Sequence, residues 1–195
     1  SVPRHGARLR KKELLSGGGE LFVMNIVLCG MMGAGKTTIG IRLSELTGMR
    51  WYDTDDLIVD KYGRIADIFE YYGEGRFRQI ETEIVHRVAG EDNCVISTGG
   101  GCVLRPENSA AFKEGGGKIV FLKVDLEVLF ARTGHTGDER PLLKNTTFEK
   151  MRALLEQRTP IYESCADYTV DTNGKGIDEV AREIVSAFDL PLIGG

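Results

Sequence analysis

Residues 25–37 read Asn-Ile-Val-Leu-Cys-Gly-Met-Met-Gly-Ala-Gly-Lys-Thr, an apolar run that passes directly into Gly30-Met31-Met32-Gly33-Ala34-Gly35-Lys36-Thr37. The second part matches G-x-x-x-x-G-K-[ST], and it stands where its mechanism requires, after the strand candidate Asn25 to Cys29 and before the amphipathic stretch Lys36 to Leu46. Glycines at these positions let consecutive backbone N–H groups point into one concavity, and the helix that follows adds positive potential at its N-terminus. Lys36 is then placed to reach β- and γ-phosphates, and the Thr37 hydroxyl to ligate Mg²⁺. The turn predicts a bound ATP or GTP and leaves the second reactant open.

Outward from this turn, short apolar runs alternate with longer amphipathic ones, the signature of an α/β chain with a parallel sheet and crossover helices. Strands are predicted at Asn25 to Cys29, Arg50 to Tyr52, Cys94 to Ser97, Lys118 to Val124 and Tyr168 to Val170. Helices are predicted at Lys36 to Leu46, Asp55 to Tyr62, Ile65 to Tyr71, Arg76 to Ala89, Leu126 to Arg132, Thr147 to Tyr162 and Ile177 to Phe188. The connection from Thr133 to Thr146, with two glycines and Pro141, reads as a mobile loop over a site.

The chain has 195 residues, 42% hydrophobic and 28% charged, which suits one ordinary globular domain with a full core. No run approaches the roughly 20 apolar residues of a membrane span. A net charge of −4 argues against a membrane surface or nucleic acid as partner, since phosphate backbones demand a basic field. Anionic ligands must therefore be met by a few placed cations. Residues 1–23 carry five basic and two acidic side chains, a Gly17-Gly18-Gly19 run and no apolar period, so the remainder stands at −7. They read as an unstructured or added tail, with an arginine-rich transit peptide as the alternative, and residues 24–195 as the folded domain with Met24 a candidate start. Cys29, Cys94, Cys102 and Cys165 form no C-x-x-C pair and no zinc spacing with the three histidines, which predicts reduced thiols in a cytoplasmic protein.

Five further constellations carry chemistry, most beside a plainer reading. Asp53-Thr54-Asp55 closes the second strand, where open α/β sheets bind ligands. In an extended segment the two carboxylates point the same way, so one can hold hydrated Mg²⁺ while the other accepts a hydroxyl proton. The same residues also read as a helix cap, with Thr54 or Asp55 as the capping residue. Arg78 and Glu81 share a helix face, either as a surface pair or with Glu81 orienting the Arg78 fork toward a carboxylate. Gly99-Gly100-Gly101 ends the third strand, either as a loose turn or as backbone that approaches a ligand unobstructed. Arg140-Pro141 lies on the long connection, where a cation can reach over a transferring phosphoryl, and Arg158-Thr159-Pro160-Ile161-Tyr162 ends a helix.

Together these motifs, from about Met24 to Phe188, resemble the shikimate kinase family, small P-loop kinases of the nucleoside-monophosphate-kinase type. The resemblance rests on Gly35-Lys36-Thr37, Asp53-x-Asp55, Phe77-Arg78-x-x-Glu81, Gly99-Gly100-Gly101, Arg140-Pro141-Leu142-Leu143 and Arg158-x-Pro160-x-Tyr162, in the family's order. It implies a five-stranded parallel sheet of order 2-3-1-4-5 with lid and substrate-binding segments, and ATP-dependent phosphorylation of the 3-hydroxyl of shikimate by a monomer. It also implies roles: Asp55 as base and acceptor ligand, Asp53 with Thr37 on Mg²⁺, and Arg78 with Arg158 on the shikimate carboxylate. Gly99, Gly100 and Gly101 would contact shikimate, Gly33, Ala34, Gly35, Lys36, Thr37 and Thr38 the ATP phosphates, Arg132 the adenine side, and Arg140 the transferring group with Lys36. A gluconate-type kinase shares the P-loop and size but not the Phe77-to-Glu81 pattern with the triple glycine. A silent binding module would have lost Lys36, Asp55 or Arg140. A chain beginning at Met24 is expected to melt at the same temperature as the full one and to be as active; a large drop in either would show that the tail docks.

Overall fold

In the computed structural model, residues 24–133 and 147–193 are described, and the predicted tail, the Arg140 loop and the last two residues lie outside them. The sheet follows from the distribution of apolar residues. Strand β1 (Asn25–Cys29) and strand β3 (Cys94–Ser97) are buried at every position, as strands covered on both faces must be. The edge strands β2 (Arg50–Asp53) and β5 (Tyr168–Asp171) keep exposed positions, and β4 (Gly117–Lys123) is buried except at two lysines. All pairings are parallel and the order is β2-β3-β1-β4-β5, as the resemblance implies. Val27 stands opposite Ile96 on one side and Ile119 on the other, so the middle of β1 is the middle of the core. Asn25, 2% exposed, fixes the start of that strand: its side chain accepts from the Cys94 N–H at 3.1 Å and donates to the Glu91 carbonyl at 2.7 Å.

Helices α1 (Lys36–Thr47) and α7 (Ile177–Ala187) pack on each other across one face of the sheet. The chain moves from β1 outward to β2, then reverses through β3 to β4 and β5. Right-handed crossovers therefore put α3 (Ile65–Ala89), α4 (Pro106–Glu114) and α6 (Phe148–Cys165) on the opposite face. Helix α2 (Thr54–Tyr62) leads from β2 into α3, and α5 (Leu126–Thr133) follows β4. The two helices expected at Ile65 to Tyr71 and Arg76 to Ala89 join end to end as α3, bent at Gly73 with φ 77° and ψ 173°. A β-carbon at Gly73 would touch nothing within 4 Å, so its requirement is conformational. Helix α4 was not expected from periodicity, because only Asn108, Ala111 and Phe112 of its nine residues are buried. Its signals are those of its ends, Pro106 at the first turn and Gly115 after the last. Thr147 proves to be the N-cap of α6, accepting from Lys150 N–H at 3.2 Å, and that helix runs one turn beyond its expected end at Tyr162. All four cysteines are buried and free, and among the described residues no helix is long and apolar enough to cross a membrane.

Helix α1 is fitted closely to β2 and β3. Trp51 Nε1 donates to Ser97 Oγ at 3.1 Å, and Ser97 Oγ donates to the Lys36 carbonyl at 2.9 Å. A β-carbon at Gly40 would stand 2.5 Å from Ser97 Oγ and 2.7 Å from Trp51 Nε1. Helix propensity alone favours Gly40→Ala by about 1 kcal/mol. Overpacking costs ~1–3 kcal/mol, and parting the Trp51–Ser97 hydrogen bond adds to it. Gly40→Ala is therefore expected to lower the melting temperature by several degrees; a higher melting temperature would show that propensity wins.

Candidate active site

The phosphate-loop, aspartate, Arg78–Glu81 and triple-glycine residues singled out in the sequence lie at the carboxyl ends of β1, β2 and β3 or on the helices that follow, while Arg132 and Arg158 come from α5 and α6 after β4. Strands β1 and β3 are neighbours whose connections leave in opposite directions, the switch point at which open sheets form a crevice. The P-loop turn leaves β1 through Gly30, Gly33 and Gly35, with φ of 140°, 78° and 89°, and Gly35 is the left-handed N-cap of α1. Lys36, 8% exposed, donates to the Gly30 carbonyl at 2.9 Å and to the Met31 carbonyl at 2.7 Å, so its ammonium is held over the loop's own concavity.

Asp53 and Asp55 converge, by a route different from the one expected. Asp53 ends β2, but Asp55 already lies in the first turn of α2, so no extended segment carries both. Asp53 itself is the cap, not Thr54 or Asp55: its Oδ1 accepts from the Asp55 N–H at 2.9 Å. Its other oxygen, Oδ2, accepts from the Thr37 hydroxyl at 2.9 Å, tying the start of α1 to the start of α2. Thr54 is fully buried and takes the Gly99 N–H on its hydroxyl at 3.1 Å. The cap and the ligand readings of Asp53 are thus compatible, since each uses one oxygen.

Arg78 and Glu81 are not a surface pair. They meet at 2.7 Å with Glu81 1% and Arg78 17% exposed. Burial pushes the Glu81 carboxyl above its ordinary pKa, the Arg78 guanidinium pulls it back, and Asp55 pushes it further up. Among the described residues Glu81 Oε1 has no hydrogen-bond partner, although it is buried. The triple glycine explains how these groups come so close. A β-carbon at Gly99 would stand 2.9 Å from Asp55 Oδ1 and 3.2 Å from Glu81 Oε1. At Gly101 it would stand 2.6 Å from Arg78 Nη2, and at Gly100 3.5 Å from Arg158 Nη1. Arg158 is 7% exposed and turned inward from α6, not placed to serve the helix end.

Three clefts follow one another along this crevice. Asp55, Arg78, Glu81, Arg158 and the three glycines, with Met32, Ile65, Phe69 and Phe77, line a cavity of about 40 Å³. That is room for little more than water, so a ring-sized ligand requires the wall carried by α2 and α3 to yield. Lys36, Thr37, Asp53, Asp55 and Thr98, with Met32, Gly33 and Gly35, line the next, of about 220 Å³. Gly33, Ala34, Gly35, Thr38 and Arg132 line the third, of about 490 Å³, with Thr133 and the β5–α7 connection at Thr172, Lys175, Gly176 and Ile177. Arg132 donates to the Gly33 carbonyl at 3.1 Å. Arg140 lies outside the described residues. Sequence reasoning missed Thr98, Phe69 and the β5–α7 connection. The last carried a usable signal, a turn-rich Asp-Thr-Asn-Gly at the carboxyl end of a strand. Met32 walls two of the clefts.

Residues 32–189 match the model of the shikimate kinase family. A shikimate kinase of Geobacter sulfurreducens is 44% identical over 165 residues, covering 83% of this chain and 89% of its own. A solved structure of shikimate kinase from Acinetobacter baumannii in complex with shikimate is 38% identical, with a TM-score of 0.79 over 84% of this chain and 91% of that one. A gluconokinase from Sinorhizobium meliloti, at 20% identity and a TM-score of 0.56 over 85% of this chain and 91% of its own, shares the fold.

Proposed function

The chain belongs to the shikimate kinase family, and on that premise we propose that it transfers the γ-phosphoryl group of ATP to the 3-hydroxyl of shikimate, giving shikimate 3-phosphate and ADP in aromatic amino-acid biosynthesis. One observation carries the site assignment: Asp55 lines both the cavity that holds Arg78 and Arg158 and the cleft that holds Lys36. An acceptor whose carboxylate is gripped by the two guanidinium groups can then present a hydroxyl to Asp55 on the side that faces the phosphates. Catalysis by positioning needs that arrangement, since an in-line transfer asks little covalent chemistry of the protein.

Arg78, oriented by Glu81, and Arg158 take the acceptor carboxylate; planar forks suit it in two parallel bonds. Asp55 binds and orients the acceptor hydroxyl and accepts its proton. Gly99, Gly100 and Gly101 bring backbone against the acceptor. The N–H groups of the P-loop from Gly33 to Thr38 and the Lys36 ammonium cradle the phosphates, with Arg132 on the nucleoside side and Arg140 as the cation over the transferring group. Mg²⁺ fits the residues present, because Thr37 and Asp53 put a hydroxyl and a carboxylate oxygen 2.9 Å apart in the Lys36 cleft, hard ligands of the kind it takes alongside substrate phosphates. When bound it neutralises charge on the β- and γ-oxygens. The catalytic unit is residues 24–195, acting as a cytoplasmic monomer on two small anions, with neither nucleic acid nor membrane as partner. The chain's net negative charge supports that reading.

An ADP-release assay tests the substrate: shikimate is expected to be phosphorylated in the presence of ATP and Mg²⁺, and gluconate is not. Equal turnover of gluconate would sink the assignment. The two aspartates separate by their response to the metal. Asp55→Asn is expected to lose turnover with ATP affinity preserved and no recovery at high Mg²⁺. Asp53→Asn keeps a capping oxygen and so melts near the parent temperature, but it needs more Mg²⁺ and regains part of its rate when given it, since mass action opposes a metal-binding loss. The opposite pattern would exchange their roles.

A further inference from the structure

Beneath the acceptor cavity lies a side chain to which the division of labour above gives no task. Tyr162 is fully buried on α6 and stacks on Phe121 with ring centroids 5.1 Å apart. Phenylalanine would satisfy that packing. A hydroxyl taken out of water costs free energy unless it is hydrogen-bonded, so its placement needs a reason. The Tyr162 hydroxyl donates to the Gly100 carbonyl at 2.5 Å and lies 3.8 Å from the Met31 sulfur in the P-loop. Arg158 stands one turn earlier on the same helix, and its guanidinium charge acts on the phenol against the effect of burial. The same guanidinium faces the Gly100 α-carbon, where an added β-carbon would be 3.5 Å from Nη1 and 3.4 Å from the Met32 N–H nitrogen. One phenol oxygen therefore joins α6, the glycine turn after β3 and the P-loop. Burial keeps its pKa well above the ordinary value, so the group remains a donor at any working pH.

We propose that Tyr162 is a positioning residue for the acceptor site: its hydroxyl holds the Gly100 peptide, against which the Arg158 guanidinium lies, in the geometry that a bound carboxylate needs. The inference rests on the reading that Arg158 takes the acceptor carboxylate. The carbonyl of Gly100 has no side chain of its own to fix its plane, and the Arg158 guanidinium packs against that same residue. That plane is set by one short hydrogen bond from a buried hydroxyl.

The test is Tyr162→Phe, which keeps the ring and its stacking. The KM for shikimate is expected to rise roughly three- to tenfold, the worth of one buried hydrogen bond. The KM for ATP should stay within twofold and turnover at saturation should be little changed, a split that loosened packing would not produce. A second measurement isolates the route. In an Arg158→Lys background, which retains a cation for the carboxylate but not the fork, adding Tyr162→Phe should leave the KM for shikimate within twofold. An unchanged KM for shikimate in Tyr162→Phe overturns the inference. So does an equal rise in both KM values, failure of the variant to fold, or the same multiplicative loss in the Arg158→Lys background. Parent enzyme that does not phosphorylate shikimate overturns the function reading, and this inference with it; active parent indistinguishable from Tyr162→Phe overturns this inference alone.

Discussion

At Gly99 and Gly101 the backbone has no room for a side chain, and the site's construction follows from that. A β-carbon at Gly99 would press on Asp55 at 2.9 Å and Glu81 at 3.2 Å, Arg78 would collide with one at Gly101, and Arg158 would be in ordinary contact with one at Gly100. These four side chains arrive from α2, α3 and α6, elements separated widely in the chain. They can meet only because the strand that ends beneath them presents bare backbone. Its own polar groups are still satisfied, the Gly99 N–H by Thr54 and the Gly100 carbonyl by Tyr162. A loose turn of glycines would have left those groups to water.

The fold supplies the other half of the arrangement through β1. A strand buried at all five positions ends in a turn whose glycines take left-handed backbone, and that turn delivers the N-terminus of α1 and the Lys36 ammonium to the same crevice. Neighbouring strands then fix the spacing between the halves. Asp53 on β2 reaches Thr37 on α1, and Ser97 on β3 holds the Lys36 carbonyl. The Lys36 cleft and the cavity of Arg78 and Arg158 are thus related through β1, β2 and β3, with Asp55 lining both. A fixed relation between the two is what an in-line transfer needs most, because misplacement by an ångström costs far more than any single hydrogen bond returns.

The readable parts of the sequence were those whose cause is local. The P-loop carries its motif in consecutive residues, and β1 and β3 show as apolar runs because both their faces are covered. The bend in α3 could be read from Gly73, since a residue with φ 77° interrupts a helix whatever surrounds it. What could not be read depends on neighbours. Arg78 and Glu81 have the spacing of an ordinary surface pair, and only the packing of α3 against the glycine turn buries them. Asp53 was assigned metal and not cap, because alternation along a strand says nothing of where α2 begins. The β5–α7 connection lines the Arg132 cleft only because β5 is laid beside β4. Helix α4 was hidden for the opposite reason: too few of its residues face the core to make a period, so only its caps announce it.

The net charge then takes on a meaning it lacked in isolation. A chain of net charge −4 that handles a nucleotide and a carboxylate cannot draw them by its overall field. Its cations are instead placed at short range and partly out of water, Arg158 at 7% and Lys36 at 8% exposed, where their Coulombic interactions are stronger than at the surface. Lys36 and Arg78 are kept from an unpaired burial by internal partners, the Gly30 and Met31 carbonyls for Lys36 and Glu81 for Arg78. On the proposed assignment those partners are what an incoming anion must share or displace, so discrimination resides in geometry. A ligand whose charges do not match the spacing of these three cations gains nothing from their presence and still bears the cost of opening the cavity wall.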